Sequence, residues 1–354
     1  MRITGVAGAL PDNRYPQEML TGALKHYWGS RLKHPELLDR MHTNARVASR
    51  HLALPIDRYE ELSTWGQTNA AWFRVSQELG ERAIDRALND AGLRRQDLHA
   101  LFVVSITGVA SPSLDARLIN RMGLRPDIRR TPIFGVGCVG GALGLTRAAD
   151  YTLAYPDHNA AILAVEICTL TLKRDDLSPV NLIASGLFGD GAAAVIVSGA
   201  RTEVASNGGS GPEILATGSV FYPDSEDIMG WEISEDGFKI VLSQSLPEFI
   251  KRNLAGDVDA FLAGHGLARA DIGNWVIHTG GPRVLEAMQE TLGLEDRHLA
   301  LSWDSLSRFG NLSSASVLLV LEDTVRNHRP EPGTLGVLLA MGPGFSSEMI
   351  LMRW

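Results

Sequence analysis

Two cysteines in 354 residues exclude a disulfide framework and a cysteine-based zinc site. An excess of positive charge is also missing: 33 Lys and Arg stand against 41 Asp and Glu, for a net charge of −8. A nucleic-acid binder ordinarily carries a basic excess, so that class is set aside. No apolar run approaches the roughly 18 residues that a bilayer span needs. The N-terminal stretch MRITGVAGALPDN is halted by Pro11-Asp12-Asn13 and is too short for a secretory signal. No Walker loop is present, which argues against a P-loop NTPase. What remains is an ordinary globular composition, 45% hydrophobic and 21% charged, with 36 glycines in short clusters. A chain of this length exceeds the usual single core, so two domains or two fused halves are expected. The expectation is a cytoplasmic enzyme.

The sequence repeats itself. Gly92-Leu93-Arg94-Arg95-Gln96-Asp97-Leu98 resembles Gly266-Leu267-Ala268-Arg269-Ala270-Asp271-Ile272, and each precedes a β-type run, LFVVS at 101–105 and WVIHT at 275–279. Cys138 opens a small-residue helix followed by the strand AAILAVEI. Asn311 opens a second such helix followed by the strand TLGVLLAM. Matching elements at one long offset indicate a duplicated unit, not a solenoid. The halves are expected at 1–204 and 213–354, joined by a flexible surface connection at 205–212. Alternating strands and helices predict an α/β protein. The Gly- and Ala-rich Cys138 helix is expected to be buried all round, in the middle of two packed halves. Cys138, Asn311 and His278 would then converge near the pseudo-twofold axis.

Phe134-Gly135-Val136-Gly137-Cys138-Val139-Gly140-Gly141 reads as a tight turn running into a helix start. Glycines allow close backbone approach, and a helix N-terminus favours a thiolate, so Cys138 is expected to have a lowered pKa and to act as a nucleophile. The competing reading is a small buried hydrophobe, which is favoured for Cys168 because it lacks the glycine loop. His278 ends an apolar strand at a glycine turn and alone reads as a core histidine. Asn311 alone reads as an N-cap. Together a thiolate, an imidazole and an amide donor suit acyl transfer with stabilisation of an oxyanion or enolate.

The strings GCVGGALGLTRAADY, LFGDGAAAVIV, HTGGP, FGNLSSAS and GPGF together resemble the type III polyketide synthases, the chalcone-synthase-like family, over essentially the whole chain. The resemblance implies a thiolase-like αβαβα fold of two duplicated halves, a homodimer, and a catalytic triad of Cys138, His278 and Asn311. It implies acyl-CoA and malonyl-CoA as substrates, with no metal, no redox cofactor, no nucleic acid and no membrane. It places substrate-binding and gating positions at Phe188, Ile240, Cys168, Thr171 and Ser313. It places a CoA contact at Arg40; Arg50, Gly281 and Arg283 are expected to join it, because a net-negative protein needs a local basic cluster to hold the CoA phosphates. The loop Gly108-Val109-Ala110-Ser111-Pro112 matches a segment that reaches the partner subunit in relatives. The strings RHLALP (50–55) and EICTLT (166–171) are similar to bacterial alkylpyrone and alkylresorcinol synthases. Where plant members often carry an aromatic, Ile240 stands, which suggests a wider gate. The expectation is therefore a medium- to long-chain fatty acyl-CoA starter, extended by decarboxylative condensation to triketide or tetraketide alkylpyrones. Rival readings are a single-condensation β-ketoacyl-carrier-protein synthase III, an alkylresorcinol synthase, a papain-like protease and a catalytically dead binding paralogue. The His278-Thr279-Gly280-Gly281 run departs from the synthase III pattern, and no papain signature occurs.

Overall fold

The computed structural model describes residues 1–206 and 211–354; the central part of the expected connection at 205–212 lies outside them. The first half contributes β1 (Arg2–Ala9), β2 (Asn13–Pro16), β3 (Ser49–Leu52), β4 (Leu98–Val104), β5 (Arg129–Ile133), β6 (Asn159–Ile167) and β7 (Asp190–Ser198). Its helices are α1 (Gln17–Trp28), α2 (Pro35–Asn44), α3 (Trp65–Ala91), α4 (Leu114–Met122), α5 (Gly140–Ala154), α6 (Pro179–Leu187) and the single turn α7 (Glu203–Ser206). The second half adds β8 (Glu213–Phe221), β9 (Met229–Ser234), β10 (Gly237–Leu242), β11 (Ile272–Ile277), β12 (Leu335–Gly342) and β13 (Ser346–Arg353). Its helices are α8 (Leu246–Ala263), α9 (Pro282–Leu292), α10 (Asp296–Phe309) and α11 (Ser316–Asn327).

Local chemistry explains the boundaries. Thr64 accepts from the Gln67 backbone while the Gln67 side chain returns the bond, a capping box that starts α3. Gly92, at φ 66°, ends it in the left-handed conformation that a side chain resists. Strands β6 and β7 are buried along their whole length, as unbroken apolar runs must be when both faces are covered.

The strand order is β11-β12-β13-β8-β1-β7-β6-β4-β5. Within the sheet, the described strands of the two halves pair through Arg2 of β1 and Glu213 of β8. Outward from that seam the pattern is the same on both sides: two antiparallel pairings, then a parallel one. The repeat read from the sequence is thus a repeat of topology, with β4 and β11 each entered from a short 3-10 turn 174 residues apart. The fold is the thiolase-like layering. One apolar cluster joins α5 and α11 to the strands of both halves of the sheet. A second packs α3 and α4 on the first half's strands, and a third packs α8, α9 and α10 on the second half's.

One expectation fails in part. The α5 helix is buried over its first two turns, but Arg147, Asp150 and Leu153 face outward, Leu153 being 69% exposed. Only the segment crossing α11 needs small residues. A Cβ at Gly141 would collide with the Ser314 carbonyl, so glycine is what lets the two central helix starts touch.

Candidate active site

The two central helices do not begin at Cys138 and Asn311. Cys138 sits in a 3-10 turn, Gly137–Val139, that feeds α5. A matching turn, Ser313–Ala315, feeds α11. Asn311 lies before that turn and is not the helix N-cap, a position held by Ala315. Gly137 has φ 51°, and a Cβ there would press on Pro343 of the GPGF segment, so this motif supports the nucleophile turn from below. His278 follows β11, its backbone N–H donating to Leu339 of β12 at 3.0 Å.

These placements bring the three residues of the expected triad to the inner ends of adjoining elements. Cys138 Sγ lies 3.7 Å from Ser313 Oγ, across 175 residues of sequence, and Asn311 donates toward the thiol. The Asn311 amide is locked in orientation. Its Oδ1 accepts from the Ser313 N–H at 2.7 Å and the Ser316 hydroxyl at 3.4 Å. Its Nδ2 donates to the Gly280 carbonyl at 3.2 Å, two residues beyond His278. Because an amide nitrogen carries two hydrogens, one remains to donate into the site.

The electrostatics correct one expectation. Burial pushes the Cys138 thiol up to about 11, opposed only weakly by donation from Ser313 and Asn311. Burial alone pushes His278 down to about 3. Neither the helix start nor the histidine holds a preformed ion pair; at neutral pH both groups are uncharged, because the site is dry. His278 is 2% exposed, and neither ring nitrogen has a hydrogen-bond partner among the described residues. A buried imidazole left unpaired is costly, so both ring nitrogens are free to pair with a bound group.

Sequence reasoning missed Glu166, although it lies inside the EICTLT string. Its carboxylate accepts from Ser314 Oγ at 2.5 Å, Ile106 N at 3.0 Å and Thr107 Oγ1 at 3.0 Å. Full burial outweighs these donors and raises its pKa to about 7. The available signal was an acid within an otherwise unbroken apolar strand, β6, since a buried carboxylate needs a donor cluster.

Cys168, Thr171, Phe188 and Ile240 line one cavity of ≈ 150 Å³, together with Leu20, Leu24, Leu52 and Trp231. Cys138 does not line it, but Phe188 is tied to the triad directly. Asn311 N–H donates to the Leu187 carbonyl at 2.9 Å, and Gly189 N–H donates to the Asn311 carbonyl at 3.0 Å. Arg40 on α2 and Arg283 in the first turn of α9 are exposed, and Gly281 precedes α9 at φ 131°. The Arg46–Glu286 ion pair of 3.0 Å connects these two elements. Arg50 is different. It is 3% exposed, and its guanidinium donates to Gln17 Oε1 at 3.0 Å and to the Phe188 carbonyl at 2.7 Å. Its expected contact with CoA phosphates is corrected accordingly: Arg50 is a buried brace beneath Phe188, because the fold spends its donors internally.

Comparison with known proteins agrees with this geometry. The family described as chalcone and stilbene synthases matches in both parts, the N-terminal domain over residues 5–201 and the C-terminal domain over 213–354. The 1,3,6,8-tetrahydroxynaphthalene synthase of Streptomyces peucetius subsp. caesius is 50% identical over 352 residues, covering 99% of this chain and 93% of that protein. A 3,5-dihydroxyphenylacetyl-CoA synthase of Amycolatopsis orientalis is 31% identical, covering 100% of this chain and 93% of that one. The crystal structure of 1,3,6,8-tetrahydroxynaphthalene synthase from Streptomyces coelicolor A3(2), a bacterial type III polyketide synthase, superimposes with a TM-score of 0.93 at 31% identity, covering 100% of this chain and 99% of that one. The duplicated sheet, the burial of Cys138, His278 and Asn311, and these matches along the whole chain have one reading: the protein belongs to the chalcone and stilbene synthase family and is a type III polyketide synthase.

Proposed function

We propose that this enzyme uses malonyl-CoA as both starter and extender and makes 1,3,6,8-tetrahydroxynaphthalene. The observation that carries the reading is the 50% identity, over 99% of the chain, to the Streptomyces peucetius enzyme of that name. The carbon count is consistent: ten ring carbons are five two-carbon units. Five malonyl-CoA molecules therefore yield the naphthol, five CoA, five CO₂ and one water.

The proposed roles follow from the site. Cys138 attacks the starter thioester as neutral His278 takes the thiol proton, which leaves on the departing CoA thiolate. The S–C bond to Cys138 forms as the S–C bond of CoA breaks. An extender malonyl-CoA then loses CO₂ while His278 and the locked Asn311 amide donate to its thioester oxygen. The enolate attacks the acyl-Cys138 carbon, so that the new C–C bond forms as the S–C bond to Cys138 breaks; the extended chain stays on CoA, and the freed Cys138 thiolate is ready to accept it again. Each such preorganised donor is worth about 10²–10³ in rate. Transfer in a dry site fits this sequence, because charge appears only when substrate is present to share it. Arg40, Gly281 and Arg283 are proposed to hold CoA, supported by the exposure of both arginines and by the absence of an ion pair for either among the described residues. A homodimer and a cytoplasmic location complete the proposal. No described helix is long and apolar enough to cross a membrane.

A second reading, a fatty acyl starter and an alkylpyrone product, is favoured by the lining of the cavity. Leu20, Leu24, Leu52, Leu62, Leu172 and Ile240 offer an alkyl chain an apolar wall, at about 0.8 kcal/mol per buried CH₂. Incubation with malonyl-CoA alone, and with hexanoyl- or decanoyl-CoA added, separates the two by mass spectrometry of products. Tetrahydroxynaphthalene from malonyl-CoA alone is the expected result. Alkylpyrones with no naphthol would replace the first reading by the second.

A further inference from the structure

Among the residues lining the cavity, three are charged: Arg50, Glu60 and Arg174. Arg50 is committed to Gln17 and Phe188, and Glu60 is exposed at the rim. Arg174 is half-buried and carries no ion pair among the described residues. The acids beside it in sequence are engaged elsewhere. Asp175 pairs with Arg31 at 2.6 Å, and Asp176 accepts from the Ser178 N–H at 2.8 Å.

The side chain is nonetheless held. Its guanidinium donates to the Tyr59 carbonyl and stands 5.6 Å from the centre of the Tyr27 ring. Its own carbonyl accepts from Trp28 Nε1 at 2.8 Å. A guanidinium has five N–H donors, so most of the fork remains available, and its planar geometry matches a carboxylate in two parallel bonds. The cavity beside it is walled largely by Leu and Ile, and a pairing made at such a half-buried site is stronger than one in open water.

We infer that Arg174 forms a carboxylate-binding subsite of this pocket, which selects a starter acyl-CoA carrying a terminal carboxylate. The inference rests on the malonyl-primed reading above and specifies how a dicarboxylic acyl group would be told from a plain one. Two sources could supply an anion, the end of the acyl group or a CoA phosphate. The cavity has room for roughly ten waters, which suits a short acyl chain and not a nucleotide.

The test compares thioesters of equal length that differ only in the terminal group: succinyl- with butyryl-CoA, glutaryl- with pentanoyl-CoA, and adipyl- with hexanoyl-CoA. The rate of acyl loading onto Cys138 is followed by intact-protein mass spectrometry, and the ratio is taken within each variant. A variant that is slow for unrelated reasons still reports its ratio. Wild type should favour the carboxylated partner about tenfold for at least one pair, as a charge-assisted bond allows. Arg174→Met should bring that ratio to near one, and Arg174→Lys should keep part of it. The subsite is overturned if wild type shows no preference at any length. It is equally overturned if Arg174→Met slows both partners alike and preserves the ratio, the result expected of a phosphate contact. Failure of the malonyl-primed reading is seen separately, as absence of naphthol from wild type given malonyl-CoA alone.

Discussion

Three residues are proposed to carry the chemistry, and their environments set what they can do. Cys138 and His278 are both fully desolvated, which pushes the thiol up to about 11 and the imidazole down to about 3. Between those limits both are neutral, so the thiolate fraction of the free enzyme at pH 7 is small. Alkylation of Cys138 by iodoacetamide should accordingly be slow at pH 7 and should rise continuously with pH toward 11. A rate that is already at plateau by pH 6 would show a thiolate–imidazolium pair instead. Asn311 enters at a different step. Its amide is fixed by Ser313 and Ser316 and can donate one hydrogen into the site. Asn311→Ala should therefore load an acyl group on Cys138 at close to the wild-type rate, yet lose about 10²-fold or more in malonyl-CoA decarboxylation. Loss of both steps in equal measure would refute that division. The residue types were readable in advance, because a glycine-flanked Cys and the GNLSSAS string are local patterns. The protonation states were not, since desolvation comes from side chains far away in sequence.

At the scale of elements, the site depends on two helix starts that touch. Gly140 and Gly141 open α5 against Val104, Ser314 and Val317, and the Ser314 backbone leaves no room for a side chain. Gly141→Ala should cost about 1–3 kcal/mol, the usual range for overpacking, seen as a lower Tm. Activity should fall further than stability explains, because the displaced turn carries Ser313, which faces the thiol at 3.7 Å. An unchanged Tm would mean that the two turns can separate at no cost. The sequence predicted both central helices and their equivalence. It misplaced their starts, because a glycine-rich entry and a 3-10 turn share the same local signals, and only the hydrogen-bond pattern distinguishes them.

For the whole molecule, buried titratable groups set the response to acid. His42 is 2% exposed and ties α1, α2 and α6 through Thr21, Ser185 and the Leu182 carbonyl. Burial lowers its pKa from 6.5 to about 4, with Arg50 adding to the effect. The unfolded chain takes up that proton below pH 6.5, whereas the folded one resists until about pH 4. This contribution is complete above pH 6.5 and is lost as pH falls toward 4, reaching about 3 kcal/mol at about 1.4 kcal/mol per pH unit. Glu166 and Asp190 act in the opposite sense, because their raised values favour the folded state at low pH. The comparison must therefore be made between variants. The fall in Tm from pH 6.5 to pH 4 should be smaller in His42→Gln than in wild type, and an equal fall would remove His42 from the account.

By itself the sequence determined the duplication, the α/β class and the family, and it named the residues of the proposed triad. Each of these rests on residue type and spacing within short segments, which the chain states directly. Only the tertiary structure decided what those residues experience. It neutralised Cys138 and His278, turned Arg50 from an expected phosphate contact into a brace under Phe188, and enclosed Glu166 among donors of the loop after β4 and the turn before α11. It also left Arg174 without an ion pair among the described residues, beside a pocket walled mainly by apolar side chains. The physical reason is that burial and partner choice are set by groups a hundred or more residues apart, as Ser313 is from Cys138 and Phe188 is from Arg50. Low dielectric and lost hydration then fix each charge, and neither can be read from neighbours in the chain.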